Sequence, residues 1–407
     1  MKVVFITPVT PYRENMGGPS GHPYHLMKER PQGVDITIYS FNNNHLSENV
    51  IRSVEEELRV KIHLLQQPKW WQLILKLHLA FIRILLKYPI NYYIRLGKKH
   101  VEEIKSLQPD IVWGYGQEFS GILKQFKEHR RLHTVPDSYS LHFYRRLGKR
   151  QTFSSIKEYW RVVLNYIKNY RMEREYDDSD NIEYHLVGEE DKNFLLELNP
   201  KLHAHFIRHP HYEINEARGE SKEERVFHSP KIKLLIAGRY DLYSIQAADE
   251  LLYYIKGNAS NLNDHYVFTF LGKGWEKHVE ALLETGLEVN HIKFAPDYIE
   301  EITKHDIQIN PLSIGTGTKG KVLDALANGL LVIGSHYAME NIAGTSGVDF
   351  IEYHDAAEVV ETLKDIADND NRKRYEAMAR HGQETVLREH NREKVAAELF
   401  ALVRKEN

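Results

Sequence analysis

The chain is predicted to be an α/β protein made of two doubly wound domains, each a parallel sheet covered by helices on both faces. Three observations predict it. Short, near-continuous apolar runs alternate with helix-length segments, and such runs are what strands buried on both faces look like. The alternation begins twice, at Lys2–Thr7 and again at Lys231–Ala237, with a polar, charged stretch before the second start. At 407 residues the chain is also longer than a single core normally grows.

Taken in order, Lys2–Thr7 is the first strand and ends in a loop holding Pro8, Pro11, Asn15, Gly17, Gly18 and Pro19. A helix is predicted over residues 20–30 and a strand over 34–40, which is the opening of a doubly wound sheet. Further strands are expected at 110–113, 133–135, 183–187 and 205–207. These make a first domain of residues 1–212. Residues 213–230, with Arg218-Gly219-Glu220-Ser221-Lys222-Glu223-Glu224-Arg225, read as a linker. The second domain, 231–385, opens with the strand closed by Gly238-Arg239. A helix at 247–256, strand 266–271, helix 277–285, strand 291–294, helix 298–304 and strand 307–310 follow. A last helix, 386–407, is expected to pack back on the first domain. Two such domains would place a ligand cleft at the carboxyl ends of their strands.

Composition narrows the function. Hydrophobic content of 42% and charged content of 27% are ordinary for a globular protein, and a formal net charge of −3 offers no field for nucleic acid. The chain has no cysteine, so disulfides and thiolate metal sites are excluded. No signal peptide or membrane-spanning run is evident, which predicts a cytoplasmic protein. Residues 69–99 are unusual. Trp70, Trp71, Leu73, Leu77, Phe81, Ile84 and Leu85 are interrupted by Lys69, Lys76, Arg83 and Lys87. The stretch fits an interfacial helix on the inner face of an anionic membrane, or a core helix with a basic solvated side. The run Arg145-Arg146-Leu147-Gly148-Lys149-Arg150 is a second basic patch of the same two readings.

The segment richest in chemistry is Asn310 to Gly329, where a strand end leads into a glycine–threonine loop and then a helix. Gly315 and Gly317 allow a tight turn close to a ligand. The helix N-terminus behind them is a seat for an anion. Lys319 and Lys321 stand at that end, where the helix dipole disfavours cations, so a strongly negative ligand is expected between them. Asp324, one turn after Lys321, offers a carboxylate to sugar hydroxyls. The 23 histidines show no zinc-binding spacing, and Gly17-Gly18-Pro19-Ser20-Gly21 is not a dinucleotide fingerprint.

In this order the parts resemble the family 4 (group 1) glycosyltransferases of GT-B architecture, two Rossmann-like domains facing a central cleft. The resemblance runs along essentially the whole chain. Gly315–Gly329 is similar to the family's nucleotide-sugar loop and helix. Gly17-Gly18 with His22 resembles the glycine pair and first helix that close over the donor diphosphate. Gly188-Glu189-Glu190-Asp191, Asn199-Pro200 and Ile207-Arg208-His209-Pro210 resemble the end of the N-terminal domain. Gly238-Arg239 resembles the glycine–arginine whose arginine pairs with phosphate. The chain also departs from the pattern. Of two glutamates eight positions apart around the donor loop, the first is Thr316 and the second Asp324, as in a branch with a Gly-x-Gly-Thr loop. The lysine expected soon after the glycine–arginine is absent, with Ser244 near its place. A histidine–aspartate pair becomes Pro136-Asp137, leaving Asp137 or His133 for that role.

The resemblance implies transfer of a sugar from a nucleotide sugar to a glycan or lipid-linked acceptor in cell-surface polysaccharide synthesis. It implies retention of configuration with no side-chain nucleophile; the sequence itself offers no compelling carboxylate cluster for a metal, so neither a metal nor a cofactor is expected. Arg239, Lys319 and Lys321 would neutralise the leaving diphosphate, helped by Gly17, Gly18, Gly238, Gly317 and Thr318. His22 would contact phosphate or sugar, Asp324 hydroxyls of the donor, and Asp137 the acceptor hydroxyl. Two alternatives stand beside it. One is a sugar-nucleotide 2-epimerase on the same architecture. The other is a degenerate binding scaffold, motivated by Thr316 and Pro136.

Overall fold

The computed structural model describes residues 1–15, 19–77, 80–149, 153–215, 227 and 230–404. Within them the chain forms two compact units. The N-terminal unit comprises Met1–Gly148, Phe153–Pro210 and Arg392–Asn407; the C-terminal unit comprises Lys149–Thr152 and His211–Asn391.

The N-terminal unit carries strands β1 (Lys2–Thr7), β2 (Asp35–Ser40), β3 (Lys61–Leu64), β4 (Ile111–Tyr115), β5 (Arg130–Thr134), β6 (Ile182–Leu186) and β7 (Ala204–Phe206). They form one seven-stranded sheet in the order β3-β2-β1-β4-β5-β6-β7, parallel throughout. Because β1 is central, both its faces are covered. Val4 and Ile6 pack with Val112 and Leu186 on one side, Val3 and Phe5 with Trp113 on the other. That is why the strand reads as an unbroken apolar run and not as an alternation. The order reverses between β1 and β4, and at such a switch point the loops beyond the carboxyl ends separate.

The C-terminal unit repeats the plan with β8 (Ile232–Ala237), β9 (Tyr266–Leu271), β10 (Glu288–Ile292), β11 (Ile307–Asn310), β12 (Leu331–Ser335) and β13 (Ile351–Tyr353). The sheet order is β10-β9-β8-β11-β12-β13, again all parallel. Ile232, Leu234 and Ile236 feed one core, and Leu235 a smaller one on the opposite face.

Four expectations change. The boundary at 386 falls inside the helix Asn369–Glu389, whose sequence offers no breaker there; the chain turns only at His390–Asn391. The helix that returns to the first sheet is Arg392–Ala401, with Val395, Ala396, Leu399 and Phe400 buried beside Trp113. Most of the 213–230 linker lies outside the described residues, but Asn215 and Phe227 belong to the C-terminal unit. The Asn215 N–H donates to Asn328 Oδ1 at 2.8 Å, and Phe227 enters the core.

Residues 69–99 are not one helix. They form two pieces, Lys69–Lys76 and Ala80–Leu85, and a 3-10 turn, Ile90–Tyr93. Trp71 packs on the core and its Nε1 donates to Asn91 Oδ1 at 3.1 Å, while Trp70, Leu73, Leu77, Ile84 and Leu85 are exposed, Leu85 by 82%. Part of the stretch thus packs on the core and part of it is exposed. The second basic patch is broken at Arg146, which is buried and paired with Glu158 at 2.5 Å; Arg150 lies outside the described residues. Among the described residues no helix is long and apolar enough to cross a membrane.

Candidate functional site

In the C-terminal unit the loop from Pro311 to Lys319 is pinned to its neighbours before it can present anything. Ser313 Oγ accepts from Ala247 N at 2.8 Å, and its N–H donates to Tyr243 O at 2.7 Å. Ser335 Oγ, at the end of β12, accepts from Leu312 N and donates to Leu312 O. Gly317 has φ +61°, a backbone that glycine adopts without strain. Gly315 leaves room for the flexible end of a neighbouring side chain. A Cβ there would lie 2.5 Å from Lys319 Cε, because the lysine folds across its own loop. The Lys319 ammonium donates to Thr316 O at 2.9 Å and Gly317 O at 2.8 Å. Lys319 therefore staples the loop, with Thr316 and Thr318 half-buried beside it.

The helix Gly320–Ala327 follows, with Val322, Leu323 and Leu326 in the core as its pattern predicts. Lys321 is exposed, and its ammonium sits 5.1 Å from the Tyr298 ring centroid. Arg239 is exposed at the end of β8, after Gly238 at φ +138°. Neither cation makes a hydrogen bond or ion pair among the described residues, yet the two are within electrostatic reach. Partial desolvation of the Lys321 ammonium lowers its pKa. Asp324 works against that lowering, Arg239 adds to it, and Asp241 works against it. Two cations within electrostatic reach of each other, with no hydrogen bond or ion pair among the described residues, are suited to an anion of more than one charge.

Asp324 is buried, and its Oδ1 has no hydrogen-bond partner among the described residues. Burial raises its pKa to about 7, with Lys321 pulling it down and Glu213 pushing it further up. Three more buried polar atoms without partners lie on adjoining elements: the Tyr298 hydroxyl, Gln308 Oε1 and Asn310 Nδ2. Gln308 Nε2 donates to Asn310 Oδ1 at 3.0 Å and Lys321 O at 3.1 Å, so these side chains at the end of β11 are held in place. Sequence reasoning missed Tyr298, Gln308, Asn310 and Asp241. The alternation of polar Gln308 and Asn310 with apolar Ile307 and Ile309 was the signal that marks the first pair. Ser244, near the place of the missing lysine, instead braces the Arg239 turn by donating to Arg239 O at 3.2 Å.

The N-terminal unit presents a different chemistry. Gly17 and Gly18 lie outside the described residues. His22 is buried in the helix Gly21–Lys28, its Nδ1 3.0 Å from the Tyr115 hydroxyl, and its Nε2 has no partner. Its ring centroid is 4.7 Å from that of His209 and 5.7 Å from that of His185. Burial holds these rings neutral, with His209 pushed down to about 4 and His185 to about 3; His22 is lowered well below the ordinary histidine value by burial and then by its two neighbours. His133 is also buried within β5, against Gly116 O at 2.9 Å.

Asp137 is half-buried just after β5, and Ser138 caps the helix Tyr139–Leu147 by accepting from Leu141 N. The structure thus brings Arg239, Lys321 and Asp324 together, with Gly238, Gly317 and Lys319 shaping the turns around them. His22 and Asp137 belong to the other unit. Among the described residues no three histidine or acidic side chains are grouped to hold a metal.

Residues 255–401, which contain this cation-bearing loop, match the glycosyl transferase-like family. The whole chain superposes on solved structures of one architecture. Anabaena Alr3699/HepE in complex with UDP-glucose is 12% identical, with 99% of each chain covered and a TM-score of 0.61. The chain has the GT-B fold, and over residues 255–401 it is similar to the glycosyl transferase-like family. Sucrose-phosphate synthase from Thermosynechococcus elongatus is similar to this chain at 11% identity and TM-score 0.64, covering 99% of this chain and 98% of that one. The lipopolysaccharide outer core galactosyltransferase WaaB is similar at 13% identity and TM-score 0.57, with 99% of each chain covered. No curated protein matches the chain in sequence.

Proposed function

We propose that this protein is a glycosyltransferase that moves a sugar from a nucleoside diphosphate sugar to a glycan or lipid-linked acceptor, with retention of configuration and without a bound metal or cofactor. One observation carries the reading: Arg239 and Lys321 lie within electrostatic reach of each other and of the buried carboxyl of Asp324, with no hydrogen bond or ion pair among the described residues. The departing diphosphate gains charge as the glycosidic bond breaks, and fixed cations stabilise that charge without reorganising. The backbone around Gly317 and Thr318 would donate to the same phosphates, whereas the Gly238 N–H, expected to do so, is given to Leu271 O at 2.8 Å and shapes the turn instead. Asp324 accepts from donor hydroxyls, and Tyr298, Gln308 and Asn310 supply the remaining polar contacts. The UDP-glucose complex of HepE supports uridine diphosphate as the first donor nucleotide to try.

Gly17, Gly18 and His22 are assigned to the donor side, with His22 acting as a neutral hydrogen-bonding group. Asp137 is assigned to the acceptor, orienting its hydroxyl, while a donor phosphate oxygen takes the proton. WaaB, a lipopolysaccharide galactosyltransferase, supports a role in cell-surface polysaccharide synthesis. The exposed Trp70, Leu73, Leu77, Ile84 and Leu85, with Lys69, Lys76 and Arg83 among them, support peripheral contact with the anionic inner face of the membrane.

The deciding experiment is a thermal-melting series with the diphosphates of uridine, guanosine, adenosine and cytidine, each with and without EDTA. Ligand binding raises the melting temperature by mass action. One diphosphate is expected to do so equally in EDTA. No rise with any of the four overturns the donor reading, and a rise abolished by EDTA overturns metal independence.

A further inference from the structure

Glu173, on the helix Ile156–Arg174, is completely buried in the N-terminal unit, and among the described residues no cation pairs with it. Its carboxyl accepts from Ser138 Oγ at 2.9 Å, Gln117 Nε2 at 2.9 Å and Ser140 N at 3.2 Å, and it is bonded to Ser140 Oγ as well. A helix cap does not require this, since Ser138 Oγ already accepts from Leu141 N at 3.2 Å. The same Gln117 Nε2 donates to Asp137 O, and Asp191 Oδ1 accepts from Ser138 N at 2.8 Å. The peptide between Asp137 and Ser138 is therefore gripped at both its polar atoms.

We propose that Glu173 is a positioning residue, which through Gln117, Ser138 and Ser140 fixes the peptide carrying Asp137 and so aims that carboxylate at the acceptor. The inference rests on the assignment of Asp137 to the acceptor side. A neutral Glu173 satisfies every partner, because a serine hydroxyl can turn from donor to acceptor while the carbonyl oxygen keeps Ser140 N and Gln117. An ionised Glu173 keeps four donors but is a charge held away from water. The ionisable groups that face it do not offset this: Tyr166 on its own helix, Asp137 on the loop, and Asp191 from the helix Glu189–Leu198 all carry negative charge or none.

Burial accordingly raises its pKa from 4.5 to about 7, against the four hydrogen bonds. Opening the loop returns the carboxyl to water and to its ordinary pKa, so the closed loop binds more protons. Opening then becomes easier as pH rises, by about tenfold between pH 6 and pH 8.

Hydrogen exchange on the full chain tests this, with protection of the 138–141 amides corrected for the intrinsic rate. In the wild-type protein, protection is expected to fall about tenfold from pH 6 to pH 8. Glu173→Gln imitates the neutral acid and should hold high protection at both values, whereas Glu173→Ala should lose it at both. Protection independent of pH in the wild-type chain overturns the proposal, and so does a glutamine variant that keeps the wild-type slope. If the glutamine variant fails to fold, the wild-type titration decides alone. The exchange result does not depend on nucleotide binding, so a chain whose melting temperature is unmoved by UDP breaks the donor reading and leaves this one to its own measurement.

Discussion

The loops after β5 and β11 both leave interior strands of two similar parallel sheets, and they are finished in opposite ways. After β5 a buried acid is saturated with hydrogen bonds from Ser138, Ser140 and Gln117, and the loop is closed on itself. After β11 an equally buried acid, Asp324, keeps an unpartnered oxygen, next to two cations that pair with nothing described. Internal satisfaction marks a loop whose task is to hold a position. Unsatisfied buried polar atoms are costly, and a fold retains them where a ligand repays the cost. On the proposed function, the same architecture supplies a scaffold at one strand end and a recognition surface at the other.

The contrast has measurable consequences, the largest being acid sensitivity. His25 and His185 are pushed down to about 3, and His133 and His209 to about 4, all by burial in the N-terminal unit. Below pH 6.5 the unfolded chain takes up protons that the folded chain refuses. Stability is therefore lost as pH falls through that window, by up to roughly 1.4 kcal/mol per histidine per pH unit. Denaturant titrations from pH 7 to pH 4.5 should show the N-terminal unit unfolding first, and equal loss in both units would erase the comparison.

Next in size is the anion site. Charge-assisted hydrogen bonds are worth about 1.5–3 kcal/mol each, so replacing both Arg239 and Lys321 with alanine should weaken diphosphate binding about a hundredfold or more. Calorimetric affinity within a few-fold of wild type would show that the cations do not meet the ligand.

Asp324→Asn sharpens the same point through pH. With the folded pKa raised to about 7, the buried acid binds an extra proton, so stability is lost as pH rises from 4 to 7. The asparagine variant should gain relative to wild type across that window, by at most roughly 1.4 kcal/mol for each pH unit crossed. A wild-type minus variant difference that does not move with pH would place Asp324 in contact with water. Smallest is Gly317→Ala. A positive φ disfavours a side chain, and the expected cost is about 1 kcal/mol in the thermal stability of the C-terminal unit.

Much of the fold is legible in the residues themselves. Buried parallel strands write their apolar runs in full, so β1, β8, β11 and β12 can be read directly. The edge strand β3, Lys-Ile-His-Leu, has only a mixed pattern because one side of it has no neighbour. The helix Ile156–Arg174 is thick with charge and shows no clean stripe. The donor loop is legible because glycines, threonines and lysines lie in a single run. Its partners Tyr298 and Asp241 are not, since they arrive from other elements and only the folded sheet brings them to Lys321. Glu173 and the buried histidines are hidden for the same reason: a titratable side chain in a helix or strand looks solvated until its neighbours are known.

The return of the helix Arg392–Ala401 to the first sheet has a consequence for how the protein is made. Phe400 stacks edge-on against Trp113 with ring centroids 5.8 Å apart, so the N-terminal unit lacks part of its interior until residue 400 has left the ribosome. The C-terminal unit is complete by Asn391 and can fold earlier. During synthesis, the half that begins the chain is the half that matures last.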